Sequence, residues 1–178
     1  MSFMTLALAV ALVAGLASGG KLSHLKSVQF RLGWLAVVAL LVQAGTVRWP
    51  GWEGVSAQYD TRGSLLALSY LALVVVGLAN LQMAGIRLAV LGLVLNFAVI
   101  AANGGYMPTT IEALRQAGIG DLATNIVPGA RVSHSKDILL PRDQTQLWFL
   151  SDIIVVPGPS PIRAVASVGD FAITAGAC

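Results

Sequence analysis

Charge is what this chain has least of. Asp, Glu, Lys and Arg make up 11% of its 178 residues, against roughly 25% in an ordinary soluble domain. Cysteine is nearly absent as well: Cys178, the last residue, is the only one. That excludes an internal disulfide and a thiolate metal site. Histidine occurs twice, too sparsely for a histidine-rich metal centre. The basic residues are scattered singly, so the net charge of +3 and the pI near 9.4 do not form a nucleic-acid patch. No phosphate-binding loop, haem attachment motif or nucleophile elbow occurs, and no cofactor is expected.

What is present in excess is hydrophobic sequence, 56% of the chain with a mean hydropathy of +0.79. It is concentrated in four blocks: 3–18, 32–47, 64–81 and 88–102. Each approaches the ~20 apolar residues that cross a bilayer. The expected fold is therefore an all-α polytopic transmembrane helical bundle with four full spans and a short or truncated fifth. The expected organisation is a bundle over 1–102, an irregular extracytoplasmic segment with a short surface helix over 103–163, and a short apolar C-terminal segment over 164–178. The bilayer is the first expected partner, and nucleic acid is not one.

Orientation follows from the cations. Lys21, Lys26 and Arg31 lie in one short loop without an acid, the pattern of a cytoplasmic loop. This puts the N-terminus and the segment 103–163 outside a cytoplasmic membrane. Trp49 and Trp52 flank Pro50 at the outer end of the second block and read as interfacial anchors. In the first block Ala7, Ala11, Gly15 and Gly19 recur every fourth residue, a small-residue face for close helix packing. Gln43 and Asn96 are amides inside apolar blocks and read as interhelical hydrogen-bond partners.

The fourth block ends at Asn103-Gly104-Gly105-Tyr106-Met107-Pro108. The two glycines let the chain leave a helix sharply, Tyr106 is expected at interface depth, and Pro108 holds Met107 extended. Thr109-Thr110-Ile111-Glu112 fits a capping box, and a short helix is expected from about Thr110 to Ala117, stopped by Gly118. Residues 119–141 show no period and read as loop, and Pro157-Gly158-Pro159-Ser160-Pro161 reads as a stiff connector. His134, Asp152 and Asp170 are the titratable groups that stand out, the two acids because each lies in apolar sequence where a charge is expensive. Ser167 to Asp170 has the composition of a helix cap.

This motif is followed by Ser135-Lys136, by Thr145-Gln146-Leu147-Trp148-Phe149-Leu150-Ser151-Asp152-Ile153 and by Ser167-Val168-Gly169-Asp170. Together they resemble a family of small multi-pass bacterial membrane proteins known only as a domain of unknown function. The resemblance implies a bacterial source and a membrane fold, and carries no activity. The chain departs from the pattern at Ser151, where a glycine is expected, and at His134, which precedes the Ser-Lys pair instead of following it. Its last apolar stretch is also too short to cross a membrane.

Two functional readings follow. The first is a structural or accessory subunit of a larger membrane complex, partnered by other membrane proteins and without catalytic chemistry. The alternative is a small transporter, channel or membrane-embedded enzyme with a site at the outer mouth of the bundle, built from Asn103, Tyr106, His134, Asp152 and Asp170.

Overall fold

The computed structural model describes residues 29–48, 58–122, 127–133, 135–158 and 163–177. The small-residue face of Ala7, Ala11, Gly15 and Gly19, the Trp49 and Trp52 anchors, and His134 lie outside the described residues.

Among the described residues three apolar helices come first: α1 (Gly33–Arg48), α2 (Thr61–Ala79) and α3 (Ile86–Ala102). Asp60 starts α2 by accepting from Gly63 N at 2.7 Å, which satisfies one of the free amides of the first turn. Asn80 ends it. The tight turn to α3 passes through Gly85 at φ 78°, a conformation that suits glycine. The two helices form an antiparallel hairpin, and α1 packs on α2.

After α3 the chain forms a small mixed lobe. Strand β1 (Met107–Thr109) pairs in parallel with β2 (Asp137–Leu139), and α4 (Ile111–Gln116) lies between them in sequence. Arg131 extends this sheet on the β2 side and Asp152 on the β1 side through single bridges. Strands β3 (Ile154–Val156) and β4 (Ala164–Ala166) then pair antiparallel. The final helix, α5 (Val168–Ala177), returns along α3.

The α3–α5 contact is made backbone to backbone. A Cβ on Gly92 would run into the Gly169 carbonyl oxygen, and one on Gly85 into that of Gly176. A Cβ on Gly176 would lie 2.6 Å from both Ala89 N and Gly85 O. Glycines seven residues apart on each element thus face each other in antiparallel order, which is how small residues let helices approach.

The expectation of an all-α, four-span bundle is corrected. Among the described residues one helix, Thr61–Ala79, is long and apolar enough to cross a membrane, while α1 and α3 have 16 and 17 residues. At 1.5 Å per residue these two are about 24 and 26 Å long, short of a ~30 Å hydrocarbon core. The segment 103–163 is not irregular either, since it contributes β1, β2 and β3. The physical reason is that buried backbone must be hydrogen-bonded. A segment whose residues 103–109 are all buried satisfies this by pairing with 136–140. The loop expected over 119–141 therefore contains a strand, and the proline run joins the two paired strands β3 and β4.

Candidate functional site

Residues 103–109 form the hub on which the lobe and the helices meet. Asn103 caps α3 and donates from Nδ2 to Val99 O at 2.8 Å. The same amide grips a distant residue on both sides: Nδ2 donates to Gln146 O at 2.9 Å, and Oδ1 accepts from Gln146 N at 3.0 Å. Gly104, at φ 71°, and Gly105, at φ 90°, complete the helix end, with Gly105 N donating to Ile100 O. This is the left-handed glycine cap that closes many helices. The turn sits so close to α2 that a Cβ on Gly105 would collide with the Gly63 backbone.

Tyr106 is fully buried. Its hydroxyl donates to Asp60 Oδ1 at 2.7 Å, and the Arg131 guanidinium lies 5.5 Å from its ring centroid. Burial and the Asp60 carboxylate push the Tyr106 phenol upward, so it stays protonated. Burial lowers Arg131, with the nearby Tyr106 and Asp60 opposing the shift. Met107 N donates to Lys136 O, and Pro108 O accepts from Asp152 N at 3.0 Å. Thr109 Oγ1 donates to Asp152 O at 2.8 Å. Asp152 is thus fixed by its own backbone against β1.

Its side chain meets a cation. Lys136 Nζ donates to Asp152 Oδ2 at 3.1 Å and lies 3.5 Å from Asp137 Oδ1. Burial pushes the Asp152 carboxyl well above the ordinary carboxylate range; Lys136 opposes that rise, and Asp137 and Asp170 add to it. Burial also works against the Lys136 ammonium, but Asp152 and the groups around it outweigh burial and hold its pKa well above the usual lysine value.

Asp170 anchors a second network. Asn96, buried in α3, donates from Nδ2 to Asp170 Oδ1 at 2.8 Å, and Ser167 Oγ donates to Asn96 Oδ1 at 2.9 Å. Ser167 N donates to Asp170 Oδ2 at 3.1 Å, and Asp170 N donates to Ser167 Oγ at 3.0 Å. The last two bonds are a reciprocal cap at the start of α5. Asn96 ties that cap to α3.

Asn103, Tyr106, Asp152 and Asp170 therefore bond to different partners: Gln146, Asp60, Lys136 and Asn96. Asp152 and Asp170 lie near enough to interact, whereas Asn103 and Tyr106 bond elsewhere. Gln43 Nε2 has no partner among the described residues, so of the two amides Asn96 is the one seen bridging elements. No group of three or more His, Cys, Asp or Glu side chains among the described residues could hold a metal. A cavity of about 150 Å³ lies on the lobe, lined by Ile111, Val127, Pro128, Leu139 and Leu140, with Glu112 as its charged residue.

Sequence reading missed several partners. Asn80 repeats the Asn103 device, donating from Nδ2 to Val76 O and Arg31 O and accepting from Arg31 N. The signal available was an asparagine directly after an apolar run. Lys136 was visible only as half of a motif, and Asp60 and Gln146 carried no signal of their role.

An apolar helical hairpin is thus joined to a small mixed lobe through the Asn103–Gln146 and Tyr106–Asp60 hydrogen bonds. The chain belongs to a family of unknown function, DUF5317, whose model matches residues 27–178. No curated protein and no solved structure matches it.

Proposed function

We propose that this chain is a multi-pass protein of a bacterial cytoplasmic membrane, serving as a structural or accessory subunit of a larger membrane complex. The observation that carries this reading is the polarity of its helices. Leu41, Leu68 and Leu91, on α1, α2 and α3, are 66%, 61% and 52% exposed. Trp34, Val37, Leu40, Leu71, Leu78 and Val94 are exposed beside them. Meanwhile Thr46, Ser69, Asn80 and Asn96 are buried. Water would favour the opposite arrangement, and large apolar side chains exposed along three helices call for lipid or a membrane partner. The longest helix, α2, would cross the membrane, and the shorter α1 and α3 would cross beside it by thinning the bilayer locally. The lobe, joined to the Asp60 end of α2, would face outward.

The accessory role is supported by how the polar side chains are used. Asn103, Tyr106, Asn96 and Asp170 each hold one segment to another, which is the work of a scaffold. Membranes should be solubilised gently and the chain recovered with everything that stays bound. Stoichiometric protein partners are expected. Recovery from the soluble fraction, or from the membrane as a lone chain, would count against the reading.

A further inference from the structure

Asp137 and Asp152 each leave a buried Oδ1 without a hydrogen-bond partner, and the more deeply buried of the two is Asp152. Its side chain is 4% exposed, Oδ2 accepts from Lys136, and Oδ1 is buried with no hydrogen-bond partner. An ionised carboxylate oxygen in that position would lose its hydration and gain no donor in return. Of the surrounding charges Lys136 favours ionisation, while Asp137 and Asp170 oppose it. Facing Asp152 are Lys136 and Asp137 from the β2 segment, Asp170 from α5 and Tyr70 from α2. Thr109 of β1 bonds to the Asp152 backbone carbonyl and Asn96 of α3 to Asp170, and neither titrates. One cation thus stands against three carboxylates. Asp170 has its Asn96 and Ser167 donors, and Asp137 has Ser135 Oγ donating to it at 2.6 Å. Asp152 has only the ammonium it shares.

We propose that the Lys136–Asp137–Asp152–Asp170 cluster is a proton-binding site, in which Asp152 holds one proton from solvent at neutral pH and exchanges it on the side where Lys136 is 23% exposed. Proton binding removes one negative charge from the cluster and leaves Lys136 balanced by a remaining carboxylate. The direction of the Asp152 shift agrees with this. Because Asp152 is fixed to Pro108 and Thr109 through its backbone, its charge state acts where β1, β2 and the 150s segment join. The inference stands independently of whether the helices lie in lipid.

The sign of the pH effect follows from linkage. An acid whose pKa is raised on folding stabilises the folded state below its unfolded value near 4, and that stabilisation is lost as pH rises through the folded value. Infrared spectra of the full chain should show a protonated carboxylic-acid band at neutral pH, where exposed Asp and Glu are ionised. The band should be lost in Asp152→Asn and retained in Asp143→Asn. The melting temperature of the wild type should fall as pH rises from the ordinary carboxylate range through neutrality, and that of Asp152→Asn should fall less. Absence of the acid band in the wild type would overturn the proposal, as would its survival in Asp152→Asn. If that variant does not fold, Asp137→Asn decides: removing a neighbouring negative charge should move the band's disappearance to lower pH, and no movement would overturn the assignment.

Discussion

Asn80 and Asn103 do the same work at opposite ends of the α2–α3 hairpin. Each ends a helix, donates back to the carbonyl four residues earlier, and offers its remaining groups to the backbone N–H and C=O of one remote residue. An amide is the one neutral side chain that presents a donor and an acceptor side by side, as a peptide group does. The grasped residues, Arg31 and Gln146, are each followed by a leucine in left-handed backbone, Leu32 at φ 58° and Leu147 at φ 53°. That conformation costs an L-residue about 1–2 kcal/mol, and the asparagine bonds hold it in place. Replacing Asn103 by Ala should destabilise the chain by about 2–3 kcal/mol, because it strands the buried groups it satisfied. Leu147→Gly should be neutral or slightly stabilising, since glycine adopts positive φ freely. Denaturation of the three proteins in the same detergent compares them. Equal stability of Asn103→Ala and wild type would show that the clamp contributes nothing. This device was only half legible in the sequence. Asn103 stood out beside its two glycines, but leucine carries no preference that would announce Leu32 or Leu147 as strained.

Among the elements, the α3–α5 contact depends most on residue size. Sequence periodicity drew attention to small residues every fourth position in 3–18. The close approach seen in the structure uses Gly85 and Gly92 against Gly169 and Gly176, from segments more than seventy residues apart. Neither pair forms a pattern alone, since what matters is that both sides lack a Cβ at the same level. The three-residue strands were illegible for a related reason. Alternation over three residues is not a period, and the partner of 107–109 is a segment thirty residues away. The short helix after the Thr109-Thr110 pair was legible because its signals are local, but the capping box read from Thr109 is one residue early: Thr110 Oγ1 accepts from Ala113 N, and Gly118 closes the end at φ 68°. Gly92→Ala should therefore destabilise by several kcal/mol, since the added methyl meets backbone, which cannot move aside as a side-chain end can. Gly45→Ala, with nothing within 4 Å of the added methyl, should be neutral or stabilising by about 0.5–1 kcal/mol through helix propensity. Thermal melting of the two variants checks this directly. A Gly92→Ala protein as stable as Gly45→Ala would mean that α3 and α5 are not in backbone contact.

At the scale of the whole molecule, composition was the most legible property and the arrangement of spans the least. Hydropathy places apolar residues in blocks but does not say where each helix stops. Here Asp60 and Asn80 bound a full-length helix, whereas Gly85 and Asn103 bound a shorter one. The proposed role rests on an inverted polarity, with leucine and valine outward and asparagine, serine and threonine inward. Spin labels at Leu41, Leu68 and Leu91, one at a time in the chain reconstituted in lipid vesicles, test that claim most directly. Membrane embedding predicts collisions with dissolved oxygen and protection from a water-soluble paramagnetic complex at all three positions. Free access of the water-soluble complex to Leu68, on the helix long enough to span, would contradict the account.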